Sequence, residues 1–242
     1  MTTSLRIEDR LHDLADPTQA AILQRFFKTA PGEYGEGDLF LGIKVPVVRN
    51  TVKTLGTYAT LADVAALIAS PWHEIRLAGF LCLIDIYTKA RRSKKTDAVK
   101  EIVDFYLDNL SSGNNWDLVD LVCPKILGQY IVDNPAESHI LDTLAAMDGK
   151  LWHQRVAIVS TLTLIRAGSY DKTFTLAEQF LDHKHDLIHK ATGWMLREAG
   201  KRGAADRLLS FLEHNAPRMP RTMLRYAIEK LPPPLRHHFM SK

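Results

Sequence analysis

The sequence lacks the features of a membrane, secreted or metal-binding protein. No run of 18 uncharged apolar residues occurs in its 242 residues, so we expect no membrane-spanning helix. Its first residues, MTTSLRIEDRLHD, carry charges throughout and lack the apolar centre of a signal peptide. Only two cysteines are present, Cys82 and Cys123, 41 positions apart and without a CxxC pair. We therefore expect no zinc site, disulfide or cofactor, and a reducing cytoplasm is the expected compartment.

An excess of charge of one sign is also missing. The 31 Lys and Arg residues against 28 Asp and Glu residues give a net charge of +3, too little to indicate a nucleic-acid partner alone. A DNA-binding surface would need its cations gathered on one face, and the C-terminal half offers several. These are Lys190, Arg197, Lys201, Arg202, Arg218, Arg221 and Arg225. The alternative interpretation is a set of solvated helix faces.

Strand-like alternation is absent, and helical periodicity takes its place. Apolar residues recur at intervals of three and four, as in Leu61-Val64-Ala65-Ile68. Residues typical of helix N-caps stand at Asp16, Thr60, Ser70, Asn115 and Asn134. Glycines stand where helices should end, at Gly56, Gly113, Gly168 and Gly203. The pattern predicts an all-α protein whose longest loop is Pro31–Gly42.

The predicted helices repeat along the chain. They begin near Trp72, Trp116, Trp152 and Ile188, at spacings of 44, 36 and 36 residues, and one more begins near Arg221. A period near 40 residues built from two helices is typical of HEAT-like solenoids, which bind partners on their concave side. We therefore predict a single domain over residues 1–242, an α-α superhelix of about six HEAT-like helix pairs. We expect it to be a monomer.

The helix that begins at Trp116 places an aromatic ring and a carboxylate together. At about 100° per residue, its apolar stripe contains Leu118, Leu121 and Val122. Trp116 and Asp120, four residues apart, lie together on the opposite side. One interpretation is a binding site; the other is packing of the indole against a neighbouring repeat.

Two further residues depart from the pattern of their helices. Trp194 lies off the stripe of Ile188, Thr192, Met195 and Ala199, and has a cation near it on either side, Lys190 and Arg197. This arrangement suits a polyanion with sugar rings. Arg155 occupies the first turn of a helix that is apolar nearly all round, where a cation opposes the helix dipole. Either a bound backbone phosphate or an ion pair with an acid of an adjacent repeat would explain it.

The common catalytic and cofactor motifs are missing. The sequence has neither a Walker A motif nor a dinucleotide fingerprint, because Gly35-Glu36-Gly37 follows no predicted strand. His183 and His185 flank Lys184 in a predicted turn, and we do not assign a metal to them. No Ser/His/Asp or Cys/His arrangement can be recognised.

The chain resembles the AlkD-type DNA alkylation repair family in six blocks that occur in the family's order. They are LGIKVP (41–46), SPWHEIRL (70–77), NNWDLVD (114–120), WHQRVAIVST (152–161), DLIHKATGWMLREAGKR (186–202) and MPRTMLRYAIEK (219–230). The resemblance runs from about Gly35 to Pro232. It implies a HEAT-like DNA glycosylase that excises cationic alkylated purines, chiefly 3-methyladenine and 7-methylguanine, from duplex DNA without flipping the base.

The resemblance also implies roles for individual residues. Trp116 and Trp194 correspond to the rings that pack against the deoxyribose, Asp120 to the catalytic carboxylate, and Arg155 to an arginine that grips the DNA backbone. Lys190, Arg197 and Lys44 join Arg155 as DNA-binding candidates. Next to Lys44, this chain has Ile43 and Val45 where some members have more polar residues, so contacts there are expected to differ.

Two other functions remain compatible with these residues. The first is a non-catalytic HEAT-repeat protein that binds damaged or structured DNA. The second is a scaffold that binds another protein, with the tryptophans as interface anchors.

Overall fold

Helices dominate the protein. The computed structural model describes residues 1–241, and the only extended pairing within them is an isolated bridge between Leu39 and Trp72. The all-α prediction is confirmed. The chain divides into two compact units, residues 1–118 and the remainder from Val119.

The first unit is built around one long, buried helix. Its helices are α1 (Thr3–Asp13), α2 (Pro17–Phe26), α3 (Val45–Leu55), α4 (Leu61–Ile68), α5 (His73–Arg92) and α6 (Thr96–Asp108), followed by a 3-10 turn at Leu110–Ser112 and by α7 (Trp116–Val122), which ends in the second unit. Helix α5 contacts α1, α3, α4 and α6. Because these neighbours surround it, α5 is buried on nearly every side at its N-terminal end, from His73 to Ile84.

The second unit is arranged around α10 and α12. It continues with a π-helical turn at Pro124–Gly128, α8 (Gln129–Asp133), a 3-10 turn at Pro135–Ser138, α9 (His139–Ala145), α10 (Leu151–Arg166), α11 (Asp171–Gln179), α12 (Asp186–Lys201), α13 (Ala205–Asn215), α14 (Arg221–Ile228) and α15 (Pro233–Met240). Helix α10 contacts α9, α11 and α12, and α12 packs closely on α14. The buried character predicted for α10 is confirmed, since 11 of its 16 residues are buried.

Most of the predicted helix boundaries are confirmed. Asp16 and Thr60 cap α2 and α4 with their side chains, and α7 begins directly after Asn115. Gly56 follows the last residue of α3. Gly168 and Gly203 lie just beyond α10 and α12 with positive φ angles of 82° and 116°. The residue types that cap helices therefore located these ends correctly.

Ser70 does not cap α5 as predicted, although the helix begins at His73, close to the start predicted near Trp72. The backbone around Trp72 instead forms the isolated bridge with Leu39, and the carbonyl of Leu39 accepts a hydrogen bond from the amide of His73 at 2.8 Å. The hydroxyl of Ser70 accepts from the amide of Trp72 at 3.2 Å and caps this short extended segment. A long-range backbone contact thus delays the helix by two residues.

The segment Pro31–Gly42 is irregular, as predicted, and is tied to α5. The buried carboxylate of Glu74 accepts hydrogen bonds from the amides of Leu41, Gly42 and Ile43 at 2.9, 2.9 and 3.0 Å. Gly42 has φ +87°, and a Cβ there would lie 2.1 Å from the carbonyl oxygen of Asp16. Glycine is therefore required at this turn.

Three predictions about the whole chain stay predictions. They are the single domain over residues 1–242, the count of about six HEAT-like pairs and the monomeric state. Each unit is helical in itself, and within each unit consecutive helices pack against one another, as in α4 on α5 and α9 on α10.

Candidate active site

Trp116 is the first residue of α7 and lies half-buried in the first unit. Its ring stacks on Phe27, with centroids 5.4 Å apart and planes at 27°. Phe26, 61% exposed, approaches it edge-on at 6.1 Å. Both interpretations of Trp116 therefore keep support, because one part of the indole is packed and another is exposed to solvent.

A buried aromatic stack backs Trp116. Phe27 stacks on Phe40 with centroids 5.1 Å apart, and Phe40 stacks on the imidazole of His73 at 4.4 Å and 19°. His73 also lies 5.1 Å from Phe27. These rings come from the end of α2, from the loop before α3 and from the start of α5, and together they pack behind the indole.

His73 links two carboxylates. Its Nδ1 donates to Asp38 Oδ2 and its Nε2 donates to Asp117 Oδ2, each at 2.8 Å. Arg76 Nη2 donates to Asp38 Oδ1 at 2.5 Å and to Asn114 Oδ1 at 2.9 Å. Both ring nitrogens of His73 face carboxylate oxygens, which are acceptors. Only the protonated imidazolium can donate from both nitrogens at once.

The pKa values of this cluster agree with its geometry. Burial lowers the pKa of His73, but the hydrogen bonds and charges of Asp117 and Asp38 outweigh burial and raise the pKa to about 9. Burial has the opposite effect on a carboxyl group and raises the pKa of Asp38. The hydrogen bonds and charges of His73 and Arg76 have a stronger effect and leave this pKa below its usual value. His73 and Asp38 are therefore both charged at neutral pH.

Asp120 and Arg155 form an ion pair inside the second unit. Arg155 Nε donates to Asp120 Oδ1 at 2.8 Å and Nη2 donates to Oδ2 at 2.7 Å, while Nη1 donates to the carbonyl of Leu187 at 2.5 Å. Arg155 is 5% exposed, whereas 17% of the Asp120 side chain is accessible. The sequence was compatible with either a bound phosphate or an ion pair at Arg155. The structure contains the ion pair.

The position of Arg155 in its helix differs from the prediction. Helix α10 begins at Leu151, so Arg155 is its fifth residue and lies one residue beyond the first turn. Repulsion from the helix dipole is weaker there than expected, because that effect fades within the first turn. The bidentate contact with Asp120 is what accounts for a buried cation at this position.

Trp194 lies half-buried on α12, off the apolar stripe as predicted. The four stripe residues Ile188, Thr192, Met195 and Ala199 are all buried. Gly193, the residue before Trp194, faces α14, and a Cβ on it would lie 2.4 Å from the carbonyl oxygen of Met223. Glycine thus allows the close approach of α12 and α14, and α14 supports the segment that carries Trp194.

The other predicted DNA contacts have different surroundings. Lys190 pairs with Asp186 at 2.8 Å one turn earlier in α12, and about two fifths of its side chain is exposed. Arg197 pairs with Glu229 just beyond α14, and only 17% of its side chain is exposed. Lys44 is exposed and precedes the first residue of α3, directly after the three amides held by Glu74. Lys44 and Lys190 are therefore the more accessible of the three cations.

No metal site stands out in the residues described. None of them forms a group of three or more His, Cys, Asp or Glu side chains placed to hold a metal ion. His183 and His185 instead accept backbone hydrogen bonds through their Nδ1 atoms, from the amides of His185 and Leu187. Cys82 and Cys123 are buried free thiols. Among residues 1–241, no helix is long and apolar enough to span a bilayer.

Comparison with known proteins identifies the family. A sequence model described as "DNA alkylation repair enzyme" matches residues 7–231, which is most of the chain. The chain belongs to this family. Membership supports a role in the repair of alkylated DNA and confirms the resemblance found in the six sequence blocks.

A solved structure has a similar fold. A predicted DNA alkylation repair enzyme from Enterococcus faecalis superposes with a TM-score of 0.71 over 90% of this chain and 97% of that chain, at 19% identity. At this identity the likeness supports the fold alone. A search of curated proteins finds no match.

Sequence reasoning missed the cluster of His73, Asp38 and Asp117. The one available signal was the Trp-His pair that recurs at Trp72-His73 and Trp152-His153. The partners of His73 could not be read from the sequence, because they lie 35 and 44 positions away in a loop and in another helix. Periodicity reports which side of a helix is buried but not which distant polar group it meets.

Proposed function

We propose that this protein is a DNA glycosylase that hydrolyses the N-glycosidic bond of cationic alkylated purines in duplex DNA and so starts base excision repair. Its substrates would be lesions such as 3-methyladenine and 7-methylguanine. The observation that carries the proposal is the Asp120 carboxylate, which is partly accessible, fixed by two hydrogen bonds from Arg155 and four residues from Trp116 in α7.

The chemistry of these lesions needs only one carboxylate. An alkyl group on N3 or N7 gives the purine a positive charge, so the base leaves as a neutral molecule with the electron pair of the C1′–N9 bond. No general acid has to protonate it, whereas ordinary glycoside hydrolysis uses two carboxyl groups. What remains to be stabilised is the oxocarbenium-like sugar, and an anion beside C1′ can do this.

Asp120 is the group we assign to that task. Its negative charge stabilises the sugar cation, and it accepts a hydrogen bond from the water whose oxygen bonds to C1′. The released proton passes to the carboxylate and then to solvent. Arg155 acts as a positioning residue in this scheme, because a guanidinium that holds both oxygens fixes the plane of the carboxylate.

Trp116 and Trp194 are assigned to the deoxyribose. The face of an indole attracts a cation by about 0.5 to 2 kcal/mol per contact, more when water is excluded. This attraction grows as the sugar gains positive charge, so it favours the transition state over the ground state. Because the attack occurs at the sugar, we propose that the base stays stacked and is not flipped out of the helix.

Duplex DNA is the partner that this reaction requires. We assign backbone contacts first to Lys44 and Lys190, the more accessible of the predicted cations. Arg197 is assigned to the same surface, where a phosphate would compete with Glu229 for its guanidinium. The family resemblance also assigns Arg155 to a backbone phosphate, which would require part of its contact with Asp120 to be released.

The ion pair also favours a second candidate function. A carboxylate with both oxygens bonded to a buried arginine resembles a structural pair, which a protein that only binds damaged DNA could retain. Such a protein would bind alkylated duplex DNA without releasing bases. The accessible 17% of the Asp120 side chain is the feature that favours catalysis.

A base-release assay tests the two functions against each other. Duplex DNA treated with a methylating agent is incubated with the protein, and the freed bases are separated and identified. We expect 3-methyladenine and 7-methylguanine in the soluble fraction. Retention of all methylated bases, with binding of the treated duplex preserved, would establish the non-catalytic alternative.

A further inference from the structure

We propose that His73 is a positioning residue for Trp116, acting through Asp117 and through the aromatic stack behind the indole. The inference rests on the proposed function, because it assigns His73 to the same reaction through the ring that contacts the sugar. All the groups involved lie in the first unit and are described above. Three observations support it.

The first observation is the hydrogen bond to the start of α7. Asp117 follows Trp116 directly, and its Oδ2 accepts from His73 Nε2 at 2.8 Å. Its other oxygen, Oδ1, is buried and has no hydrogen-bond partner among the residues described. His73 therefore provides the main charge that balances this carboxylate, and through it fixes the first turn of α7.

The second observation is the order of the rings. Phe40 lies flat on the imidazole of His73 at 4.4 Å, Phe27 lies on Phe40 at 5.1 Å, and Trp116 lies on Phe27 at 5.4 Å. Each interplanar angle in this series is below 30°. A rotation of the imidazole would displace Phe40 and Phe27, and Trp116 would follow because packed rings in a dense interior move together.

The third observation is the balance of charge around the imidazole. Asp38 faces Nδ1 from the loop before α3, Asp117 faces Nε2 from α7, and Arg76 contacts Asp38 from the next turn of α5. Neutralising His73 would leave one uncompensated negative charge in a buried cluster, which is strongly unfavourable. The raised pKa of His73 agrees with a permanent imidazolium at neutral pH.

A purely structural role is the competing explanation. His73 joins the loop before α3 to α5 and α7, so its loss would also destabilise the unit. Stability alone does not separate the explanations. A readout on Trp116 itself does, and so does a double-mutant cycle, because two residues that act through one another give non-additive effects.

The first experiment observes the indole directly. The Nε1–H resonances of the four tryptophans are recorded by ¹H–¹⁵N NMR, and the Trp116 peak is assigned by its loss in Trp116→Phe. In His73→Gln we expect the Trp116 peak to shift or broaden, while the peaks of Trp152 and Trp194, both in the second unit, keep their positions. An unmoved Trp116 peak in the folded variant overturns the inference, whatever the enzyme activity.

The second experiment measures base release under single-turnover conditions. We expect His73→Gln to slow it by about tenfold, as for a small displacement of a positioned group, with the Kd for undamaged duplex within about twofold. In a Trp116→Ala background the same substitution should slow release by less than about twofold further. If His73→Gln slowed base release by the same factor in both backgrounds, His73 would act independently of Trp116.

Controls separate the possible failures. Asp63→Asn removes another buried carboxylate of the first unit, one that caps α4 and accepts from the amide of Ser4 at 2.9 Å. It should lower stability without moving the Trp116 peak. If His73→Gln does not fold, Asp117→Ala breaks the same link at a side chain that is 18% exposed, with the same expected outcomes. Failure of the wild type to release bases refutes the glycosylase proposal, while the NMR result still decides the role of His73.

Discussion

Arg155 donates hydrogen bonds to both carboxylate oxygens of Asp120, at 2.8 and 2.7 Å. A third nitrogen of the same guanidinium, Nη1, donates to the carbonyl of Leu187 at 2.5 Å. The guanidinium therefore joins the end of α7 to the first turn of α12, the helix that carries Trp194. A charge-assisted bidentate pair is both stronger and more directional than a single hydrogen bond. The orientation of the proposed catalytic carboxylate thus depends on one buried side chain.

Replacing Asp120 tests the catalytic assignment. Asp120→Asn keeps the size of the side chain but removes the charge that would stabilise the sugar cation. We expect base release to fall by about 100-fold or more, a typical cost of removing one electrostatic stabiliser, while binding of undamaged duplex is preserved. Rates are measured with enzyme in excess over a duplex that contains one lesion.

The matched control for this variant is Asp142→Asn. Asp142 also forms an ion pair in the second unit, with Lys172 at 2.7 Å, and has no place in the proposed site. It should release bases at the wild-type rate. Full activity in Asp120→Asn would remove Asp120 from the mechanism.

Replacing Arg155 separates positioning from phosphate binding. Arg155→Lys keeps a positive charge but cannot hold both oxygens of Asp120 in one plane. We expect base release to slow by about tenfold or more, because the carboxylate loses its fixed orientation. Since Arg155 is 5% exposed and already paired, the salt dependence of binding to undamaged duplex should stay unchanged in Arg155→Ala.

A changed salt dependence in Arg155→Ala would contradict this prediction. Each phosphate contact contributes close to one unit to the slope of log K against log salt concentration. A slope reduced by about one in Arg155→Ala would mean that the arginine leaves Asp120 and contacts the backbone when DNA binds. The family resemblance would then be correct for this residue, and the ion pair would describe only the free protein.

Lys44 is expected to behave differently. It is exposed at the N-terminal end of α3, and the preceding backbone is fixed by Glu74. Lys44→Ala should weaken binding of any duplex sequence and reduce the salt slope by about one. Lys100→Ala serves as the control, since Lys100 pairs with Asp104 one turn away in α6 and is not among the predicted contacts. Equal slopes for both variants would exclude Lys44 from the interface.

The sequence predicted local features of the site and missed its long-range contacts. The start of α7 at Trp116 and the stripe on α12 followed from caps and periodicity, and both are confirmed. The stripe of α7 was only partly correct, because Val119 is buried and Leu121 is half-buried. These features depend on neighbours within a few residues, which the sequence shows directly.

Polar pairs between distant segments could not be assigned from the sequence. For Arg155, the burial of its helix predicted that a partner was needed, but the choice between phosphate and carboxylate depends on the position of Asp120, 35 residues earlier. That Trp116, Asp120, Arg155 and Trp194 act together on one nucleotide is implied by the family resemblance and stays a prediction.

The stability of the protein should depend on the charge of His73. The pKa of this residue is about 9 in the folded protein, whereas an unfolded histidine has a pKa near 6.5. The folded state therefore binds the proton more tightly than the unfolded state. The stabilisation that this proton gives the fold is complete below pH 6.5 and is lost as the pH rises through about 9. At about 1.4 kcal/mol per pH unit, the loss is on the order of 3 kcal/mol.

Other groups confine this effect to a window of pH. The pKa values of His153, His183 and His185 are lowered by burial, so these residues favour unfolding only as the pH falls below about 6.5. Burial raises the pKa of Cys82 to about 12, and the thiols destabilise the fold only where they ionise in the unfolded chain, above about pH 8.5. Between pH 6.5 and 8.5, His73 should therefore dominate the change.

Urea unfolding between pH 6.5 and 8.5 measures this contribution. We expect the free energy of unfolding of the wild type to decrease steadily across the window, by up to about 1.4 kcal/mol per unit. His73→Gln should be less stable at pH 6.5 and nearly independent of pH up to 8.5, because it has no proton to release there. A wild-type protein equally stable at both ends would mean that His73 is neutral in the fold, and the two carboxylates would then need another explanation for their contacts with it.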